Sequence, residues 1–439
     1  MIDDRRDLLI RSALTPRRDL VAPVDLASAI SAEIRVTPQA RASVLGRIAT
    51  LGRDPRVRVV LVFAALLLAL LVAVGVASRL QTRPPAITSY HGPPSRTGVM
   101  PGPAPHGTPT QAWQAHLTGQ VGVLGMPLVV DGTVLVADGA GLVSAVTETA
   151  GTPVWAARVD DPGAISLAVA GDLVVAGGEH GRLHAVRRTT GATAWTVDIG
   201  GGGSLSVVAD GGLLVVASTD GHVYGVDPTN GAVVWNLQAA GEFTRGAAIA
   251  AGIGIVGDDA GRVTEFDVAT GRVTHTWELR HGEITTPVID AGVAYVAHGF
   301  ADGSPAILVA LPLDGGPERW RWTLPHAGRL FIGAVAEGTV YALDDEGTAW
   351  SINAGTGSGS ALYQAKGAFG SVGAIVGTEL ILTSADGAIA AIDRATGTVH
   401  WTVSVEGVPS TPSVIDGRVF VATDLGTLIA LGDDASASP

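Results

Sequence analysis

The chain contains no cysteine in its 439 residues. That excludes disulfides, a thiolate nucleophile and a cysteine-ligated metal, and it leaves the redox compartment open. Lysine is nearly missing as well: Lys366 is the single copy, so basic character rests on arginine. Charged residues make up 16% of the chain and aromatics 5%, against 47% hydrophobic residues, a balance more apolar than that of a purely soluble protein. Basic residues are scarcest after residue 110, where 13 Arg and one Lys face 34 Asp plus Glu, a net of −20. Such a surface repels nucleic acid and anionic lipid. Residues 1–58 have the opposite balance, 11 Arg against 7 acids.

Charge is absent altogether from 59 to 78, a run of Val, Leu and Ala with Arg53, Arg56 and Arg58 before it and Arg79 after it. At about 1.5 Å per residue, twenty residues of helix reach roughly 30 Å, the thickness of the hydrocarbon layer. A cleavable signal has a shorter apolar core, and a core helix of a soluble domain keeps some polar positions. The expectation is a basic cytoplasmic tail over 1–58 and one transmembrane helix over 59–78, with the arginine bias placing the remainder outside the cytoplasmic membrane, periplasmic or on the cell surface. Eight prolines and no acid between 80 and 110 predict a Pro-rich linker over 79–110, a semi-rigid spacer in extended geometry.

Beyond the linker the chain repeats itself. Gly221-His222-Val223-Tyr224-Gly225-Val226-Asp227 alternates with a period of two, Pro228-Thr229-Asn230-Gly231 supplies turn residues, and Trp235 opens the next strand. The unit recurs about every forty residues, through Gly191 to Trp195, Gly151 to Trp155, and Gly397 to Trp401. His275 takes the tryptophan position once, with Trp277 two residues on, and Ala361 replaces the aromatic in another copy. A strand-rich unit repeated at this period predicts a closed β-propeller. Counting the Trp-type strands from Trp113 gives eight, as does counting the inner strands up to Thr427–Leu431, so the strand of Trp113 is expected to complete the last blade and close the ring. The predicted fold is all-β, an eight-bladed propeller over 111–432, with a disordered tail at 433–439.

Ala391-Ile392-Asp393-Arg394-Ala395-Thr396-Gly397-Thr398-Val399-His400-Trp401 resembles the Ala-x-Asp-x-x-x-Gly-x-x-x-Trp signature of pyrroloquinoline-quinone-type (PQQ-like) propeller repeats. The likeness covers nearly all of 111–432. WD40 repeats share the period, but no Trp here precedes an Asp. The same repeats occur in quinoprotein dehydrogenases and in BamB-like assembly scaffolds. The dehydrogenases of that resemblance carry a vicinal cysteine pair against the cofactor, a calcium and a catalytic Asp. With no cysteine and no insertion to carry such residues, neither cofactor nor metal is expected, and a quinone- or sugar-directed dehydrogenase or sensor is the competing reading.

Other fragments have simpler explanations. His180 and His184 sit at a strand corner and do not share a face. Gly200 to Gly203 lacks the Lys-Ser/Thr and helix of a phosphate loop. The Asp-Gly pairs at Asp138, Asp220 and Asp386 fit hairpins that need positive φ. What remains is a row of four loops, each leading from one blade's outer strand to the next blade's inner strand. They carry Phe243 and Arg245; His281; His326, Arg329 and Phe331; and Lys366 and Phe369. On one face of an acidic disc, Phe243, Arg245, His281, Arg329, Phe331, Lys366 and Phe369 are the candidate residues for a protein or anionic glycan partner. Thr285-Thr286 and Ser410-Thr411 are expected to bring hydroxyls to the channel mouth. The expected protein is a membrane-anchored scaffold with a monomeric, cofactor-free propeller.

Overall fold

The computed structural model describes residues 86–433, apart from 118–124, 160–162, 164–165, 201–202, 240, 244, 281, 301 and 370. Among these, every sheet is a four-stranded antiparallel blade, and there are eight. Blades 1 to 7 take consecutive strands from 128–158, 166–198, 205–238, 248–278, 288–323, 330–364 and 374–404, and blade 8 joins 413–432 to Thr110–His116. Thr110 pairs with Gly432 and His116 with Thr427, so the ring closes with the strand of Trp113, as the strand count predicts. Closure leaves no blade with an unpaired three-stranded edge.

Side-chain patterns follow position in the blade. The third strands, such as Ala388–Asp393, are buried along nearly their whole length because neighbouring blades cover both faces. The outermost strands, such as Val399–Ser404, are exposed at most positions and lie at the rim. The repeat signature links one blade to the next. In blade 3 the Asp227 carboxylate accepts from the Thr229 amide at 2.8 Å and hydroxyl at 2.7 Å, and Gly231 takes φ +76° to finish the turn. The indole of Trp195, from blade 2, donates to Pro228 O at 2.9 Å, and a Cβ on Gly231 would lie 2.7 Å from that ring. Trp113, Trp155, Trp235 and Trp320 dock in the same way on Gly151, Gly191, Gly271 and Gly357 of the following blade. Trp277 bonds Gly316 O at 3.0 Å while His275 packs on Gly315, so the two residues divide the role of the single Trp.

The stretch expected to be a stalk is part of the propeller from residue 86 onward. Residues 87–98 run around the inside of the ring, and their carbonyls take amides from the first strand of six blades. Val129 N reaches Ile87 O at 3.0 Å, Val169 N Thr88 O at 2.8 Å, and Ile249 N Pro94 O at 2.8 Å. Ile289 N reaches Ser95 O at 2.9 Å, Val335 N Thr97 O at 2.8 Å, and Ile375 N Gly98 O at 2.8 Å. The six amides are equivalent, each facing the residue five positions on in its hairpin, as Val129 faces Val134 and Ile375 faces Leu380. A first strand lies at the inner edge of its blade, where buried amides need acceptors. A proline-rich segment suits this, since it offers carbonyls while having few N–H groups of its own to satisfy. Ile87, Ser89, His91, Arg96 and Met100 are buried accordingly. The expected 79–110 linker is thus corrected over 86–109, and the compact unit that holds the propeller starts at Pro84.

The basic tail and the apolar run at 59–78 lie outside the described residues, as do 434–439. Among the described residues no helix is long and apolar enough to cross a membrane.

Candidate functional site

Residues 87–98, bonded to six blades from inside the ring, form a plug that leaves the channel as a cup. Its bonded amides lie just before the tight turns from first to second strand, so it closes that end of the ring. The other end opens between the interblade loops, where a cavity of about 310 Å³ is left. Tyr90 of the plug lines it together with Ser204, Ser206, Phe243, Arg245 and Thr286. A recess of about 110 Å³ shares Tyr90, Arg245 and Thr286 and adds His91, Phe331 and Ser371. Among the described residues neither wall contains an acidic or amide side chain.

Beneath the cup lies a cation without an acid partner. Arg96 is fully buried, donates from Nε to Ala247 O at 2.7 Å and from Nη1 to Tyr90 O at 2.9 Å, and places its guanidinium 5.6 Å from the centre of the Tyr90 ring. Burial pushes its pKa down to about 10, which leaves it charged at neutral pH. Nη2 has no hydrogen-bond partner and lies against Gly246, where an added Cβ would meet it at 2.9 Å. Burial raises the Tyr90 phenol, opposed by the Thr411 hydroxyl and by Arg96 and Arg245. His91 Nε2 faces Gly333 O at 2.8 Å and Gly373 O at 3.1 Å; burial foremost, with the Arg96 charge, drives its pKa down to about 4. His91 and Arg96 both take left-handed backbone, at φ 63° and 60°, a conformation that the ring of bonds around the plug enforces.

Of the residues singled out by sequence, Phe243, Arg245 and Phe331 come together at the cup. Phe243 is buried in the wall at 2% exposure, and Phe369 is buried at 3% between blades 6 and 7, so neither is an exposed anchor. Both loops needed an apolar residue to seal the contact between blades, and a phenylalanine in a loop looks the same in sequence whether it seals or binds. Arg245, Arg329 and Lys366 are exposed on this face, and His281 lies outside the described residues. The cations are interleaved with acids. Arg245 pairs with Glu283 at 3.0 Å, the Arg329 amide donates to Asp345 at 3.0 Å, and Lys366 lies near the Asp386 carboxylate. His326 sits 3.3 Å from Asp344, and the Ala327 carbonyl leads the influences that raise its pKa. Thr286 reaches the cup, whereas Thr411 is buried beside Tyr90.

Sequence reasoning missed Tyr90, His91 and Arg96. The only available signal was an arginine and a tyrosine among prolines, and nothing local says that such a segment folds back. The Asp-Gly pairs are turns: Gly221 and Gly387 take φ +85° as expected, whereas at Asp138, which accepts from the Ala140 and Leu142 amides at 3.0 and 2.8 Å, the positive φ falls on Gly141 rather than Gly139. Among the described residues no cluster of His, Asp and Glu could hold a metal. Calcium takes six to eight oxygens, usually with carboxylates. The described lining of the cup, with no carboxylate or amide, does not fit a calcium-bound quinone.

Comparison with known proteins agrees with this architecture. The fold matches BamB from Moraxella catarrhalis at TM-score 0.60 and 20% identity, covering 74% of this chain and 100% of that one. It also matches the computationally designed Ika8 protein at 0.64 and 17%, covering 73% and 99%. Quinohemoprotein alcohol dehydrogenase ADHIIG from Pseudomonas putida HK5 matches at 0.64 and 13%, covering 81% of each chain. No curated protein sequence matches the chain. The family described as outer membrane protein assembly factor BamB matches residues 106–181, 179–330 and 336–437. The chain therefore belongs to that family of PQQ-like repeat propellers.

Proposed function

We propose that the chain is a non-enzymatic scaffold, anchored by residues 59–78 in the cytoplasmic membrane, whose propeller presents its interblade-loop face to an acidic segment of a protein partner. The observation that carries this reading is the plug. The ring's own chain occupies one end of the channel, no group of His, Asp and Glu among the described residues could hold a metal, and the loop face presents Arg245, Arg329, Phe331 and Lys366. Arginine and aromatic groups are the side chains that most often dominate such interfaces. The acids among these cations would reject partners whose charges are out of register. A quinoprotein-like enzyme, the reading that the dehydrogenase folds raise, finds no carboxylate or amide ligand for calcium among the described residues of the cup. The test is capture of cell-envelope partners by the full chain and by Arg329→Glu/Lys366→Glu. The double variant is expected to lose more than tenfold in apparent affinity, about 1.4 kcal/mol, with an unchanged melting curve. Undiminished capture removes this face as the interface.

A further inference from the structure

Besides any partner surface, the cup has the chemistry of a small-ligand site. Its free hydrogen-bonding capacity is biased toward donors. Ser166 Oγ, in the wall, accepts from the Val207 amide at 3.0 Å, and Thr219 Oγ1 accepts from the Ser204 amide at 2.9 Å, so each hydroxyl still has its own proton to offer inward. Arg245 adds a guanidinium, and its ion pair with Glu283 is about half exposed on both sides. Such a pair is weak enough for the arginine to exchange partners. Arg96 lies behind the Gly246 wall, buried and without a carboxylate partner, and no acid among the described lining residues offsets its charge. A cup whose described lining carries a guanidinium and no carboxylate, within a domain of net −20, is the place on this surface suited to an anion. The remaining wall is apolar, with Met126, Leu128, Leu167 and Leu205 beside Phe243. The cavity's size, about 310 Å³, is at the lower end of ligand pockets. Because the plug closes the far end, an extended chain cannot thread through.

We propose that the cup binds a small organic carboxylate, with the carboxylate on Arg245 and the wall hydroxyls and the apolar body against Met126 and the leucines. This goes beyond partner docking and does not depend on it. The experiment is calorimetric titration of the full chain at low salt with phenylacetate and with phenylacetamide, which is similar in shape but uncharged, in the parent and in Arg245→Gln. The acid is expected to bind at least tenfold more tightly than the amide in the parent. Arg245→Gln should erase that preference and leave the melting temperature unchanged. In a third arm, a tripeptide with a free C-terminus competes with phenylacetate; tighter binding by the peptide would replace the small acid with a chain end and overturn the proposal. Absence of saturable phenylacetate binding, equal binding of acid and amide, or a preference that survives in Arg245→Gln would each overturn it too. No readout includes a partner, and Arg329 and Lys366 stay intact, so failure here and failure of the docking surface are separable.

Discussion

At the residue scale, glycine and tryptophan act as a pair across blades, and this can be measured. Gly271 and Gly132 both have positive φ, +69° and +73°, but a Cβ on Gly271 would lie 2.5 Å from the Trp235 ring while one on Gly132 meets nothing within 4 Å. Gly132→Ala should therefore cost only the backbone strain, about 1 kcal/mol, and Gly271→Ala at least about 2 kcal/mol more, because it also displaces an indole bonded to Val268 O. Equal losses in urea denaturation would refute the packing role. His91 makes a second prediction. With its pKa near 4 when folded and 6.5 as the ordinary value, the unfolded chain binds a proton between those pH values that the folded chain refuses. Its contribution is full above pH 6.5 and declines as pH falls toward 4, by at most roughly 3 kcal/mol. His91→Gln should melt with a smaller loss between pH 7 and 4.5 than the parent, and parallel losses in the two proteins would exclude His91 as the cause.

Among elements, the plug is the one that local sequence does not announce. Strands declare themselves by alternation and by Gly-rich turns, and their pairing within a blade follows from short connections. The plug has no strand or helix periodicity and only a few turn bonds of its own, such as Arg96 N to Pro93 O at 2.8 Å; it is ordered mainly by amide donors distributed over six blades. A chain beginning at Ala104 keeps all thirty-two strands and loses those six bonds, a deficit of about 6 kcal/mol at ~1 kcal/mol each, before counting the exposed inner wall. Compared with a chain beginning at Pro84, it should unfold at clearly lower temperature and exchange the amides of Val129, Val169, Ile249, Ile289, Val335 and Ile375 faster. Identical melting would show the plug to be dispensable.

At the scale of the whole molecule, the ring closes through residues over three hundred positions apart, Thr110 with Gly432, so its first and last parts unfold together. The expected membrane orientation belongs here as well. The arginine bias before residue 59 predicts that a reporter fused after Pro439 is digested by protease added to spheroplasts, cells stripped to the cytoplasmic membrane. A reporter that stays protected in spheroplasts, where only the cytoplasmic membrane remains, would reverse the topology and with it the location of the scaffold.

The repeat, the number of blades and the closing strand were legible in the sequence because each rests on short-range chemistry: alternation, an Asp-capped turn, a glycine at positive φ and a tryptophan four residues on. The charge asymmetry was legible too, since it is a matter of composition. The site was legible only in part. Arg245 and Phe331 reach the cup with their side chains open to it, while Phe243 is buried in its wall and Phe369 seals a blade contact, and a local window cannot tell these outcomes apart. Tertiary structure alone decided that the proline-rich segment enters the ring, because what orders it is not its own propensity but the unpaired inner-strand amides of six blades, brought together only when the propeller closes.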